Sequence, residues 1–174
     1  MRIHFPSRLR LGAILLALVA IAVAPAAARA QMPGELLVVW TLPDGSELER
    51  RTLSLDEIEA IEPAGIVTTT PWNERAVRFD GALFAALAES GPRPAIEARL
   101  VALNDYSITV PAEDWRNWPI VLASRSDGTR MRVRDKGPLW LVYPLDEHPE
   151  LRRQMYMARK IWQVRAVTFV VEPE

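Results

Sequence analysis

The chain is organised around residues 132–144, which read Arg132-Val133-Arg134-Asp135-Lys136-Gly137-Pro138-Leu139-Trp140-Leu141-Val142-Tyr143-Pro144. The five residues from Leu139 are apolar, aromatic or branched and have proline on each side, which predicts a short buried strand. The charged residues before it then form a loop at the start of that strand. A rigid strand that carries a charged loop often builds the floor of a polar pocket. An ordinary surface loop before a core strand explains the pattern equally well.

Residues 1–30 have the pattern of a secretory signal peptide. Basic residues between positions 2 and 10 precede an uncharged apolar run over 11–23, and Ala28-Arg29-Ala30 is a small-x-small cleavage site. We therefore expect cleavage after Ala30, export to the periplasm and a mature domain over 31–174. An uncleaved N-terminal anchor is the alternative, although the apolar run is shorter than the roughly 20 residues that span a bilayer.

The composition argues against several classes of function. The formal net charge of the whole chain is −1, and the leader contains four arginines and no acid, so the mature part is more acidic. An acidic domain is a poor binder of nucleic acid. The absence of cysteine removes disulfides, thiolate ligands and a thiol nucleophile. Because His148 is the only histidine after the leader, we expect neither a multi-histidine zinc site nor a Ser-His-Asp triad.

The predicted elements are short and alternate irregularly. Apolar and branched runs predict strands around 36–40, 47–52, 65–70, 76–79, 96–103, 106–110, 120–124, 139–143 and 164–171. Helices are predicted after a capping box at Ser54, over 82–89 after an Asp80-Gly81 cap, over 111–118, and from Pro149 to about Lys160. The order lacks the regular rhythm of a doubly wound sheet, so the predicted fold class is α+β.

Five segments occur in the order of a known family. They are Thr68-Thr69-Thr70-Pro71-Trp72, Leu103-Asn104-Asp105-Tyr106, Ala123-Ser124-Arg125-Ser126-Asp127-Gly128, Arg134-Asp135-Lys136-Gly137-Pro138-Leu139-Trp140 and Ala158-Arg159-Lys160-Ile161-Trp162. Over roughly 52–171 the chain resembles the sulfite-oxidase-type molybdopterin-binding domain, and in particular small secreted members that consist of this domain alone. The resemblance implies a single domain with a mixed-sheet α+β fold and a bound pterin.

One departure from that family bears on whether the domain is an enzyme. The enzymes of the family bind molybdenum through a cysteine thiolate in the segment that ends at a tryptophan like Trp72. Here three threonines, Thr68 to Thr70, occupy that segment. A threonine hydroxyl has far too high a pKa to replace a thiolate. The resemblance therefore implies a reduced pterin or a molybdopterin-like cofactor, and molybdenum is not expected.

A pterin has flat apolar faces and a polar edge, so its site needs stacking planes and a few placed polar groups. Trp72 is the candidate stacking plane. Asn104 and Asp105 are candidates for the polar edge, and a plain turn between two strands is the alternative. The remaining candidate ligand-binding residues are Tyr106, Arg125, Arg134, Lys136, Tyr156 and Arg159. Each cation among them is otherwise a solvated surface charge.

The resulting hypothesis is a periplasmic, non-catalytic pterin-binding protein. It would act as the sensor subunit of a membrane-bound signalling partner with a periplasmic domain, such as a diguanylate cyclase, a phosphodiesterase or a kinase. One alternative is a molybdopterin-dependent oxidoreductase of the sulfite-oxidase type with a non-cysteine metal environment. Another is an interaction domain that kept the fold and lost the ligand.

Overall fold

Two sheets, one mixed and one antiparallel, form the framework of the computed structural model, which describes Met1 and residues 34–173. Apart from Met1, the predicted signal peptide lies outside the described residues. The strands of the first sheet are β1 (Glu35–Thr41), β2 (Glu47–Ser54), β5 (Ala95–Ala102), β6 (Ser107–Pro111) and β11 (Val164–Val171). Their order is β2-β1-β11-β5-β6, and only β1 and β11 run parallel to each other.

The second sheet is antiparallel throughout. Its strands are β3 (Pro63–Thr70), β4 (Asn73–Leu83), β7 (Val121–Ser126), β8 (Thr129–Arg130), β9 (Trp140–Val142) and β10 (Ile161–Trp162). The order is β10-β9-β7-β4-β3, and β8 extends a hairpin from β7. β9 confirms the strand predicted after the charged residues 132–136.

The helices are short. They are α1 (Leu55–Ile61), α2 (Phe84–Glu89), α3 (Ala112–Asn117) and α4 (Gln154–Met157), with 3₁₀ turns at Val133–Asp135 and Pro149–Arg152. The predicted capping box of α1 is confirmed, because the Ser54 hydroxyl accepts from the Glu57 N–H and the Glu57 carboxylate accepts from the Ser54 N–H. Within the described residues, no helix is long and apolar enough to cross a membrane. Together with the sheets, these helices confirm the α+β class.

Both faces of the strands β7 and β9 of the second sheet are buried. Leu122 of β7 and Leu141 of β9 belong to the main core, which they share with Trp40 and Phe169 of the first sheet. The neighbouring residues on the same two strands point the other way and form a second, smaller core with Phe79 and Met131; they are Val121, Ala123, Trp140 and Val142. Alternate side chains of a strand lie on opposite faces, so these continuous apolar runs supply two cores at once.

The predicted Asp80-Gly81 helix cap is wrong. β4 continues through both residues to Leu83, with a bulge between them, and α2 begins at Phe84. A Cβ atom on Gly81 would lie 2.1 Å from the carbonyl oxygen of Leu122, so glycine is needed here for the close approach of β4 and β7. The Asp80 carboxylate pairs with Arg78 at 2.7 Å instead of capping a helix.

The predicted continuous helix from Pro149 to about Lys160 is also wrong. After the 3₁₀ turn, Arg153 adopts an extended backbone, with φ −63° and ψ 147°, and α4 covers only the next four residues. The Arg153 carbonyl accepts the first hydrogen bond of α4, as an N-cap residue does. Trp162, two residues beyond the predicted end of that helix, lies on β10.

Candidate functional site

A cavity of about 380 Å³ lies beside Trp72. Its volume falls within the roughly 300–1,000 Å³ that is typical of small-molecule sites. Three of the residues predicted from the sequence line it: Trp72, Asn104 and Tyr106. The rest of the lining comes from β5 and from the segment around α4 and β10, and consists of Ala102, Met157, Ala158, Lys160, Ile161 and Trp162.

Trp72 occupies the tight turn between β3 and β4 and is 45% exposed. It packs against two other tryptophans, with ring centroids 5.8 Å from Trp140 and 4.7 Å from Trp162. Both contacts are tilted or edge-to-face, the geometry that aromatic quadrupoles favour. The turn is stiffened by Pro71 and by the hydroxyl of Thr70, which accepts from the Trp72 N–H at 3.2 Å. The indole is therefore held firmly while much of its surface stays open to a ligand.

Asn104 and Tyr106 lie in the hairpin turn between β5 and β6. The Asn104 side-chain carbonyl accepts from the Tyr106 N–H at 3.2 Å, an Asx-type turn. Among the described residues, the Asn104 amide nitrogen donates no hydrogen bond to the protein. Tyr106 is 52% exposed, so its ring stands at the rim of the cavity. This arrangement offers a ligand one amide donor and one aromatic surface.

Gln163 ties the separate walls of the site together. It has a positive φ of 54°, and its carbonyl accepts from the Leu103 N–H at 2.9 Å, next to Asn104. Its own N–H donates to the Lys136 carbonyl at 3.1 Å, and its side chain donates to the Val133 carbonyl. These bonds fix the β5–β6 turn and the charged residues 132–136 on either side of the Trp162 segment.

Lys136 lies near the rings of Trp72 and Trp140 but does not line the cavity. Its ammonium is 5.4 Å from the ring centroid of Trp140 and 6.0 Å from that of Trp72. A cation at these distances is attracted to the electron-rich ring faces. Lys136 therefore supports the tryptophans that form the cavity wall and makes that wall more positive.

Asp105 is turned away from a ligand role by its own ion pair. Its φ is 64°, the left-handed angle expected of a turn residue, and it does not line the cavity. Its carboxylate accepts from the Arg165 guanidinium at 2.6 Å. Arg165 also donates to the Ala102 carbonyl, so this pair clamps the β5–β6 turn onto β11.

Arg125 lies at a different place, beside a second cavity of about 280 Å³. Its guanidinium donates to Glu59 at 3.2 Å, and the Ser124 hydroxyl donates to the same carboxylate at 2.6 Å. Burial would raise the pKa of Glu59, but hydrogen bonds from Arg130, Ser124 and Arg125 outweigh it and lower that pKa to about 2. The cluster joins α1 to β7 and β8, which is a structural role.

The other predicted residues are also outside the cavity. Arg134 is on the surface, near Asp135 at 3.9 Å. Tyr156 packs against the main core, 6.3 Å from the ring of Tyr143. Arg159 donates to the buried carboxylate of Asp114 at 2.7 Å. The Tyr143 hydroxyl donates to the same carboxylate at 2.9 Å, so Arg159 completes an internal hydrogen-bonded network.

The segment from Thr68 to Thr70 is bonded to the loop after β9. The buried Thr68 hydroxyl accepts from the Leu145 N–H at 3.0 Å. The Thr69 N–H and hydroxyl both donate to the Asp146 carboxylate, at 2.7 and 2.6 Å. The hydrogen bonds from Thr69, together with Arg152, lower the pKa of Asp146, although burial alone would raise it. These hydroxyls therefore hold β3 against the chain after Tyr143.

Six lining residues were not predicted from the sequence, and two of them, Trp162 and Lys160, matter most for the chemistry of the cavity. Trp162 lies on the edge strand β10 next to Trp72, and no local sequence pattern indicates this contact. Lys160 is 8% exposed and lines the cavity, but no local pattern marks it. One signal was present: the chain has only two lysines among its 21 basic residues, and they are Lys136 and Lys160.

A third cavity, of about 400 Å³, lies near Gly91 and Arg116. It holds one aromatic ring, Trp115, which is buried in the main core. The cavity beside Trp72 is the better candidate because it combines several aromatic rings with polar groups that converge on one space. The chain matches no model of a known protein family and no curated protein.

Proposed function

We propose that this domain binds a pterin in the cavity beside Trp72 without catalysing a reaction, and that its two sheets form the sulfite-oxidase-type fold. The observation that carries the proposal is the convergence of Trp72, Asn104 and Tyr106 on one cavity. These residues come from two turns that are distant in the sequence. An aromatic plane and a free amide donor are the groups that a flat heterocycle with a polar edge requires.

Each lining residue has a defined part in this proposal. Trp72 offers its exposed indole to one face of the heterocycle, and Tyr106 shields it at the rim. The amide of Asn104 donates to the carbonyl at the polar edge. Trp162 and Ile161 supply the apolar floor. Because Trp72 is held by Trp140 and Lys136, its ring is oriented before a ligand arrives, which reduces the entropy lost on binding.

The chemistry of the threonine segment supports a pterin without a protein-bound metal. The Thr68 and Thr69 hydroxyls are already engaged with Leu145 and Asp146. An alcohol oxygen is moreover a poor substitute for a soft thiolate ligand. Under this proposal the protein binds and orients the pterin, and the presence of the pterin is the signal that the protein detects.

We propose that the protein acts outside the cytoplasm as the sensor subunit of a membrane-bound partner, such as a diguanylate cyclase, phosphodiesterase or kinase. Exposed apolar side chains beside the cavity support this part; they belong to Trp72, Leu103 and Tyr106. Exposed apolar groups that lie together often mark an interaction site. A partner that covers this rim would contact the protein differently with the cavity filled and with it empty.

Mass spectrometry of the small molecule that co-purifies with the exported protein tests the function. The expected result is a reduced or oxidised pterin at about one per chain, with its fluorescence, and no matching amount of molybdenum. Protein that co-purifies with no pterin and binds none when pterins are added contradicts the proposal. About one molybdenum per chain would favour the oxidoreductase instead.

A further inference from the structure

Lys160 is a lysine whose side chain has little access to solvent. It is 8% exposed, and it lines the cavity together with Met157 and Trp162. Charged side chains are rarely buried to this extent unless they are paired. Lys160 therefore needs a physical explanation of its own.

No acidic side chain of the described chain neutralises Lys160. Its ammonium lies 2.9 Å from the sulfur of Met157, and a thioether is only a weak acceptor. Arg159, the preceding residue, shows the contrast, because its guanidinium is paired with the buried carboxylate of Asp114 at 2.7 Å. Asp105 follows the lining residue Asn104 in the sequence, but its carboxylate is paired with Arg165.

The surroundings of Lys160 are positive. Burial, and to a smaller extent the charge of Arg152, lower the pKa of Lys160 to about 8. The amine is therefore still mostly protonated at neutral pH. The described lining residues of the cavity include neither aspartate nor glutamate, and Lys136 lies within 6.0 Å of the Trp72 ring. The cavity thus has a net positive charge, and beside the nearly buried Lys160 an anion is bound more strongly than in water.

We propose that Lys160 pairs with an anionic group of the ligand, so that the cavity selects a flat heterocycle that carries a carboxylate or a phosphate over its neutral counterpart. The inference rests on the proposed function and deepens it, because it names the class of pterin. The anion would replace the Met157 sulfur as the partner of the ammonium, which gives the buried charge a proper acceptor.

The test compares three ligands by calorimetric titration at pH 7. They are 6-hydroxymethylpterin, its phosphate monoester and pterin-6-carboxylate. We expect at least one of the two anionic ligands to bind at least 10-fold more tightly than the neutral one, and the better of the two identifies the anionic group. In the Lys160→Met variant this ratio should fall to within about 2-fold of unity, because the anionic group loses its partner.

Arg99→Met is the matched control, since it removes one positive charge from an exposed position on β5. It should leave the ratio unchanged, which separates a local pairing from a general effect of net charge. Equal binding of all three ligands to the unmodified protein overturns the inference and leaves the proposed function intact. A preference that survives in Lys160→Met overturns it as well. If none of the three binds, the proposed function itself fails.

Discussion

The indole rings of Trp72 and Trp162 meet edge to face, with their centroids 4.7 Å apart. Trp72 lies at the tip of the β3–β4 hairpin, and Trp162 lies on β10, so the contact links the two opposite edges of the second sheet. Trp140 of β9 packs beside both rings, with centroids 5.8 Å from Trp72 and 6.4 Å from Trp162. The hairpin tip thus folds over the sheet and closes one side of the cavity.

Trp72→Ala should weaken pterin binding by about 1–3 kcal/mol, because it removes the exposed stacking surface. Trp72→Phe should restore part of that loss, since phenylalanine keeps a smaller aromatic plane. Titration calorimetry with a pterin measures both. The free energy of unfolding should change less than for a core tryptophan, because the Trp72 side chain is 45% exposed.

Trp118→Ala is the control for Trp72. Trp118 is also half-buried, but it packs on His148, with ring centroids 4.7 Å apart, and does not line the cavity. Its replacement should leave pterin affinity within about 2-fold of the original. Equal losses in the two variants would mean that a global change, not stacking on Trp72, explains the effect.

Asn104→Ala and Asp105→Asn should separate the two polar residues of the β5–β6 turn. Asn104→Ala removes the amide that faces the cavity and should cost about 1 kcal/mol of binding free energy. Asp105→Asn keeps the left-handed turn and removes only the charge that Arg165 already neutralises, so pterin affinity should stay nearly constant. A larger loss of affinity in Asp105→Asn than in Asn104→Ala would show that the polar edge of the ligand contacts Asp105.

The sequence predicts the strands of this fold better than its helices. The apolar composition of runs such as Leu36 to Trp40 and Leu139 to Tyr143 predicts buried strands, and both runs contain strands. Gly81 shows why the Asp80-Gly81 cap failed. Its role is to let β4 approach the carbonyl of Leu122, and a contact between strands that are far apart in sequence leaves no local signal.

In the candidate site, too, local sequence patterns could be recognised and contacts between distant segments could not. Trp72, Asn104 and Tyr106 occur in turns whose composition marks them, and they share one cavity. Arg125 and Arg159 also occur in marked segments, but their partners are Glu59 and Asp114, which no spacing rule connects to them. Whether a cation faces a ligand or an internal carboxylate depends on tertiary pairing, and a sequence alone does not give it.

Glu59→Gln should lower the free energy of unfolding by about 2 kcal/mol at pH 7, after allowance for solvent screening of the partly exposed arginines. The pKa of Glu59 is about 2 in the folded protein, below its ordinary value of 4.5. Between these two pH values the folded state therefore binds fewer protons than the unfolded state. The stabilisation is complete above about pH 4.5 and is lost as the pH falls to about 2. Urea unfolding at pH 7 and pH 3 measures the difference.

Glu172→Gln is the control for Glu59→Gln, since Glu172 is an exposed glutamate directly after the end of β11. It should alter the unfolding free energy by less than about 0.5 kcal/mol at both pH values. If Glu59→Gln has a constant effect from pH 7 to pH 3, the ionised form of Glu59 is not what Arg130, Ser124 and Arg125 stabilise.

Lys160→Met should make the ligand-free protein more stable at pH 7, by about 1–3 kcal/mol, because it removes a buried charge that has only a thioether as its partner. The pKa of Lys160 is about 8 in the folded state and 10.5 ordinarily, so the penalty is complete below pH 8 and disappears towards pH 10.5. Unfolding by urea at pH 7 and pH 10 should show a gap that narrows with rising pH, and Arg99→Met should show none. A less stable Lys160→Met variant at pH 7 would mean that the ammonium serves the fold. A more stable one means that a lysine is kept at a cost to stability, which is expected of a group that acts on a ligand.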